Sequence, residues 1–393
     1  MRDHSESSDM TVETLGGRRR ELLMKIVVIL LSCVLTLGAL EVAARARNWF
    51  RYGTTGLVHQ SVRDPISGLA VPTPGDTKGS RVSIHVNSRG FRGPELEAPK
   101  PASRIRLAFL GASTTFCAEA SRDEATWPHL VATKLRAAYP RAEFDYVNAG
   151  IPGYRVEHAL RNLEFRVKPM NPDFIMYYEA TNDIAYDTRR LAEAQGLSRE
   201  PPVNPSWLAS HCLLWSHVEK NVQLFRRQRA AGTRPEQLKF EARDLSRHFQ
   251  RELTELMLEA KKVAPMVAVA TFSYELRREQ SREQQLKAAS WALYNMPYMS
   301  VDGLFRVYEE YNRVIREVAK QTDVILIEDE FVIPGDDTHF FDSYHLADAG
   351  NLVMADRIAA ALLRSPRFER FMAAHKPAGE GGAPVMPGSR PSQ

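Results

Sequence analysis

LAFLGASTTF, Leu107 to Phe116, is the stretch on which the reading turns. Its apolar run carries no charge and no proline and stops at Gly-Ala-Ser-Thr-Thr. An unbroken apolar run of this length reads as a strand buried on both faces, because a strand with one wet face alternates. A glycine and three small hydroxyl residues at its end read in two ways. One is a plain turn. The other is a strand-to-helix turn that presents the hydroxyl of Ser113.

The surroundings repeat the pattern. From Arg104 onward short β-rich runs alternate with helical stretches. RIRLAFLG precedes TWPHLVATKLRAAY, EFDYVNAG precedes RVEHALRNLEFRV, and DFIMYYEA opens a long variable stretch. MVAVATFS and DVILIED follow, and the helix LADAGNLVMADRIAAALL closes the series. Apolar runs alternating with amphipathic helices predict an α/β domain with a parallel sheet covered on both faces. The segment Ile184 to Leu304 interrupts the rhythm with one strand, much helix and two aromatic-rich pieces, SWLASHCLLWSHVEKNVQLF and SWALYNMPYM. It reads as extra packing on the core, or as a lid or wall over a site.

The flanks differ in composition. The expected organisation is a polar N-terminus 1–21, an apolar helix 22–46 and an extended lead-in 47–103. The α/β domain 104–372 follows, with a lid-like insertion 184–304, then a tail 373–393. The lead-in is rich in Gly, Pro and Ser, with one strand-like piece, RVSIHVN, and turns over Asn87 to Glu95. Residues 1–16 and the Pro/Gly-rich tail read as disordered.

Ile26 to Leu40 carries no charge. Fifteen helical residues span roughly 22 Å, short of the ~30 Å hydrocarbon core. Snorkelling by Lys25 and Glu41 lets Leu22 to Ala44 reach across. A cleaved signal peptide is the alternative, but Arg45 in the Ala-Arg-Ala stretch and the nearby Glu41 disfavour cleavage. Arg18, Arg19, Arg20 and Lys25 place the first residues in the cytoplasm and the body outside it. Arg45, Arg47 and Arg51 weaken that bias.

The 393 residues are 44% hydrophobic and 25% charged, which suits a folded chain with a sizeable core. The net charge of +4 is mild. Its densest patch, Phe225 to Arg234, has no interleaved aromatic residues to stack bases, so no nucleic-acid partner is expected. Three cysteines make no disulfide framework, and the pairing of Cys117 with Cys212 stays open. No His/Cys/Asp/Glu cluster has metal-ligand spacing, and GASTT lacks the following Gly-Lys pair of a phosphate loop. No metal or cofactor is expected.

Sites in open parallel sheets form at the carboxyl ends of the strands. One strand ends in GASTT, the next in NAGIPGY, and the third in EATND. Late in the chain, FFDSYHLADAGN sets Asp342 three residues before His345, ahead of the last helix. These pieces make chemical sense together. A serine hydroxyl needs a base, which His345 supplies. The imidazole needs its other nitrogen held, which Asp342 does. A tetrahedral oxyanion needs donors, for which the N–H groups of Ser113 and Gly153 and the amide of Asn182 serve. If His345 is the base, activity should fall as it protonates, near or below pH ~6.5.

Four blocks in this order resemble the SGNH (GDSL-type) hydrolases over about Arg104 to Arg370. The resemblance implies a flavodoxin-like three-layer α/β/α sandwich with a five-stranded parallel sheet, and cleavage or transfer of acyl esters. It also implies Ser113 as nucleophile, Asp342 and His345 as its partners, and Gly153 and Asn182 as the block glycine and asparagine. Asp336-Asp337-Thr338-His339 offers a rival pair six residues earlier, but His345 abuts the last helix as the family pattern requires. Ala112 and Ala180 depart from the usual aspartate and glycine, so the serine turn is expected to be held differently.

GASTT, the apolar helix and Asn-Ser-Arg-Gly-Phe-Arg together resemble membrane-anchored bacterial relatives, many of which act on, or are encoded among genes for, cell-surface polysaccharide. The implied function is an inner-membrane, single-pass, periplasm-facing esterase for O-acyl, chiefly acetyl, groups on small molecules or glycans. An O-acyltransferase with the same triad is the alternative, and a non-catalytic glycan-binding protein a second. Neither protein partners nor oligomeric state can be read from the sequence.

Overall fold

In the computed structural model, residues 6–52, 61–78, 83–197, 206–219, 221–222 and 237–375 are described. The chain forms two units, Met1–Val58 with Pro202–Phe225, and His59–Pro201 with Arg226–Gln393.

The second unit contains the sheet. Five parallel strands, β5 (Arg104–Gly111), β6 (Glu143–Gly150), β7 (Phe174–Tyr178), β8 (Met266–Ala270) and β9 (Ile325–Ile327), lie in the order β6-β5-β7-β8-β9. Counted along the sheet strands alone this is 2-1-3-4-5, the flavodoxin-like order. Every residue of β7 and β8 is buried, as are seven of the eight in β5. Both faces are therefore covered, as the unbroken apolar runs predict. Helix α3 (Trp127–Ala138) packs with the closing helix Asp348–Leu363, and Arg247–Val263 packs with Val301–Thr322. The fold is the three-layer α/β/α sandwich. β8 and the helix Arg247–Val263 lie inside the sequence stretch 184–304, so part of that stretch belongs to the sheet and its cover.

The lead-in is built of hairpins. β1 (Ser61–Arg63) pairs antiparallel with β2 (Ala70–Pro72), and β3 (Gly75–Lys78) with β4 (Ser83–Val86). Leu69 and Val71 of the first hairpin cluster with Ala112, Ile151 and Tyr154. Arg92, 2% exposed, bonds Asp123 through Nε at 2.7 Å and donates to Phe116 O at 3.0 Å. A buried guanidinium needs a partner for each donor, and here those partners fix the turn after β5.

The first unit holds α1 (Glu6–Tyr52). Leu23–Arg47, 25 residues with mean hydropathy 2.5, is long and apolar enough to cross a membrane, and none of its most apolar window is buried within the protein. Residues 6–16, expected to be disordered, are helical. Once the apolar helix is nucleated, each further residue costs little. Glu41 accepts the backbone N–H groups of Leu213 at 3.0 Å and Leu214 at 2.8 Å. That contact ties the stretch 206–219 of the same unit to the helix. The basic patch Phe225 to Arg234 and the tail beyond His375 lie outside the described residues.

The short helix α2 (Ser113–Phe116) packs directly on the ends of β5 and β6. A Cβ on Gly150 would stand 2.4 Å from Phe116 N and 2.8 Å from Ala112 O, and one on Gly111 would stand 2.4 Å from Tyr178 O. Backbone atoms cannot yield as a side-chain tip can. Gly150→Ala should therefore cost about 1–3 kcal/mol of stability, read as a lowered urea midpoint with an unchanged slope.

Candidate active site

Three consecutive hydroxyls after β5 have three different tasks. The side chain of Ser113 meets His345. The Thr114 hydroxyl donates to Glu179 Oε2 at 3.0 Å, and the Thr115 hydroxyl donates to Tyr178 O at 3.0 Å. Trp127 Nε1 donates to Thr114 O at 2.9 Å from below. The helix ends at Cys117, whose φ of 57° lies in the left-handed region. Four side chains or carbonyls outside the turn thus hold it, along with Arg92. Ala112, where the family usually has aspartate, is fully buried in the apolar cluster under the first hairpin. Packing there replaces a local polar contact.

The histidine arrives on a loop that Asp342 shapes. Asp342 Oδ1 accepts the N–H groups of Tyr344 at 3.1 Å and His345 at 3.0 Å, and its Oδ2 accepts from His345 Nδ1 at 2.7 Å. One carboxylate therefore closes the turn and orients the ring. With Nδ1 protonated toward Asp342, Nε2 is left as the acceptor, and it lies 2.8 Å from Ser113 Oγ. The loop is buttressed from the helix Ser290–Asn295, where Ala292 N donates to Ser343 Oγ at 3.0 Å and Asn295 Nδ2 to Tyr344 OH at 3.1 Å. The piece SWALYNMPYM thus hydrogen-bonds the histidine loop.

The rival pair folds the same way. His339 Nδ1 lies 2.8 Å from Asp336 Oδ1, and Asp336 also accepts the N–H of His339. Asp336 is exposed, and the pair makes no bond to Ser113. Asp342 and His345 are the pair that the fold brings to the serine.

The two remaining site residues follow β6 and β7, the strands on either side of β5. Gly153 has φ +82°, where glycine carries no penalty, and an added Cβ would meet open space. Asn182, in the first turn of the helix Thr181–Ala194, donates one amide hydrogen to Tyr154 O at 2.9 Å and keeps a second. That bond ties the amide to the residue after Gly153. Ala180 before it has φ −154°, outside the left-handed region that favours glycine. Sequence reasoning did not assign Thr114 or Glu179 a role. A charged residue directly after the buried run FIMYY was the available signal.

Electrostatics favour a charged imidazole. Burial pulls His345 down, but the Asp342 hydrogen bond and the negative charges of Glu119, Asp342 and Glu179 outweigh it. The net value lies above the ordinary 6.5, higher than the sequence-based expectation. Burial pushes the Glu179 carboxyl up to about 7 and the Cys117 thiol up to about 12. All three cysteines are free, and the buried Cys117 thiol offers no competing nucleophile.

A base held by a carboxylate and hydrogen-bonded to a serine can support nucleophilic acyl transfer. Comparison with known proteins agrees on the class. The family model for the GDSL-like lipase/acylhydrolase family matches residues 109–353. Among solved structures, an acetylxylan esterase, Axe2 from Geobacillus stearothermophilus, is 16% identical with a TM-score of 0.40 over 66% of this chain and 96% of that one. LAE5, an α/β hydrolase enzyme from the metagenome of Lake Arreo, Spain, is 14% identical with a TM-score of 0.39, over 65% and 94%. No curated protein matches the chain. The family match spans more than half of the sequence and includes the serine turn, the asparagine block and the Asp342–His345 loop. This chain belongs to the GDSL-like lipase/acylhydrolase family and is an ester-hydrolysing enzyme.

Proposed function

We propose that Ser113, His345 and Asp342 are the catalytic triad of a membrane-anchored, extracytoplasmic esterase that removes O-acyl groups, chiefly acetyl, from cell-surface glycans. The observation that carries this reading is the unbroken line of two hydrogen bonds from Ser113 Oγ through the imidazole to Asp342. Ser113 Oγ attacks the ester carbonyl carbon while its proton passes to His345 Nε2. The oxyanion is held by the N–H groups of Ser113 and Gly153 and the second amide hydrogen of Asn182. Collapse breaks the bond to the alkoxy oxygen, which takes the proton from His345 and leaves as the alcohol. Water then attacks the acyl-serine, giving its proton to His345, and releases the acid with Ser113 restored.

The membrane part rests on the apolar span Leu23–Arg47. At 1.5 Å per residue its 25 residues reach about 38 Å, enough for a ~30 Å core. The bond between Glu41 and residues 213–214 supports retention over cleavage, because a removed leader has no part in the mature fold. Arg18, Arg19, Arg20 and Lys25 on the short side orient the enzyme outward from the inner membrane. The glycan substrate class rests on resemblance to anchored relatives and on that location.

Turnover of p-nitrophenyl acetate should fall about 10⁴-fold or more in Ser113→Ala and in His345→Ala, with unchanged circular dichroism. Full activity in Ser113→Ala contradicts the reading. His345 acts as a neutral base, so kcat/KM should decline as pH falls through its pKa. That midpoint should lie above the ordinary 6.5, and a pH-rate profile flat down to pH ~4 would contradict it. After alkaline carbonate treatment the chain should stay in the membrane pellet. A mature form starting beyond Ala46 would refute the anchor.

A further inference from the structure

Glu179 occupies a place where charge is expensive. It is 1% exposed and directly follows β7, whose five residues are all buried. Both of its oxygens are used. Oε1 accepts the N–H of Asn182 at 2.9 Å, and Oε2 accepts the Thr114 hydroxyl at 3.0 Å. Thr114 is the residue after the serine, and Asn182 carries the oxyanion amide. One side chain therefore spans the two halves of the site.

A structural tie alone does not call for a charge, since a neutral amide also bonds a hydroxyl and offers an oxygen to an N–H. What distinguishes a carboxylate here is its neighbour. Glu179 is among the negative groups that favour the protonated form of His345. Protonated His345 is the species present while the tetrahedral intermediate exists.

We propose that Glu179 is a positioning residue of the acyl-transfer site. Its carboxylate sets the Ser113 turn and the Asn182 amide in register and stabilises the His345 imidazolium formed as Ser113 attacks. This rests on the triad reading above. The titratable groups that interact electrostatically with Glu179 are His345 from the loop before the closing helix, Asp183 on the helix Thr181–Ala194, and the buried phenols Tyr177, Tyr178, Tyr308 and Tyr344. His345 faces Asp342 and Glu119 as well. Burial raises the Glu179 carboxyl, and its charge and that of His345 are coupled.

The test uses the full chain in detergent with p-nitrophenyl acetate. Glu179→Gln should lower kcat about tenfold or more with KM changed less than about twofold. With the negative charge gone, the imidazolium loses support, so the acid limb should move to lower pH. A purely structural tie would lower kcat without moving the limb. Thr114→Val should lose kcat in the same direction, and Thr114→Ser, which keeps the hydroxyl, should restore it. If Glu179→Gln fails to fold, judged by its melting curve, the Val and Ser variants at 114 decide. An unmoved limb in Glu179→Gln, whatever its kcat, or a Thr114→Val enzyme indistinguishable from native, overturns the proposal. Ser113→Ala is measured beside them. If it is dead while the Glu179 and Thr114 variants are native-like, this inference alone fails. If it is fully active, the triad reading fails.

Discussion

Where α2 meets the sheet, backbone lies against backbone, and two missing Cβ atoms allow it. Gly111 and Gly150 let the first turn after β5 settle onto the ends of β6 and β7 with gaps that no side chain could share. That approach puts the Thr115 hydroxyl on Tyr178 O and the Thr114 hydroxyl on Glu179. With those two side chains spent inward, the hydroxyl of Ser113 is the one that faces the histidine loop. The serine's exposure to His345 is thus a steric consequence of how closely the helix sits.

The histidine side is built on a different economy. Asp342 bonds its own turn with one oxygen and the imidazole with the other. The ring is placed by the same carboxylate that selects its tautomer, and the helix Ser290–Asn295 braces the loop from behind. Serine and histidine are 232 positions apart in sequence yet 2.8 Å apart in space. The closing helix Asp348–Leu363 packs on α3, and its Asp348 accepts the N–H of Ser121 at 2.8 Å, so the loop after β9 is carried back to the end of β5.

Much of this was legible in the residues. Doubly buried strands leave unbroken apolar runs, so RIRLAFLG and FIMYY announced a covered parallel sheet. Ser113, Asn182 and His345 could be read from small blocks because each block ends a strand or precedes a helix. Other features left no trace in one dimension. Asp336–His339 and Asp342–His345 have the same spacing and fold into the same local geometry; the helix just after His345 favoured the second pair in sequence, but its 2.8 Å approach to Ser113 exists only in the fold. Ala112 looked like a lost polar contact. It is a packing residue whose partners, Leu69 and Val71, stand some forty positions earlier. Glu179 was visible as a charge after an apolar strand, but its two partners lie on separate helices. Residues 6–16 went the other way, since polar composition there did not stop the helix from extending.

The central claim is that Ser113 becomes covalently acylated. Intact-mass spectrometry after treatment with a fluorophosphonate, followed by peptide mapping, tests this most directly. The account predicts one adduct per chain, located on Ser113, with loss of esterase activity in step with labelling, and no adduct in His345→Ala over the same time. Ester hydrolysis that persists in a fully probe-treated enzyme carrying no label on Ser113 would contradict it.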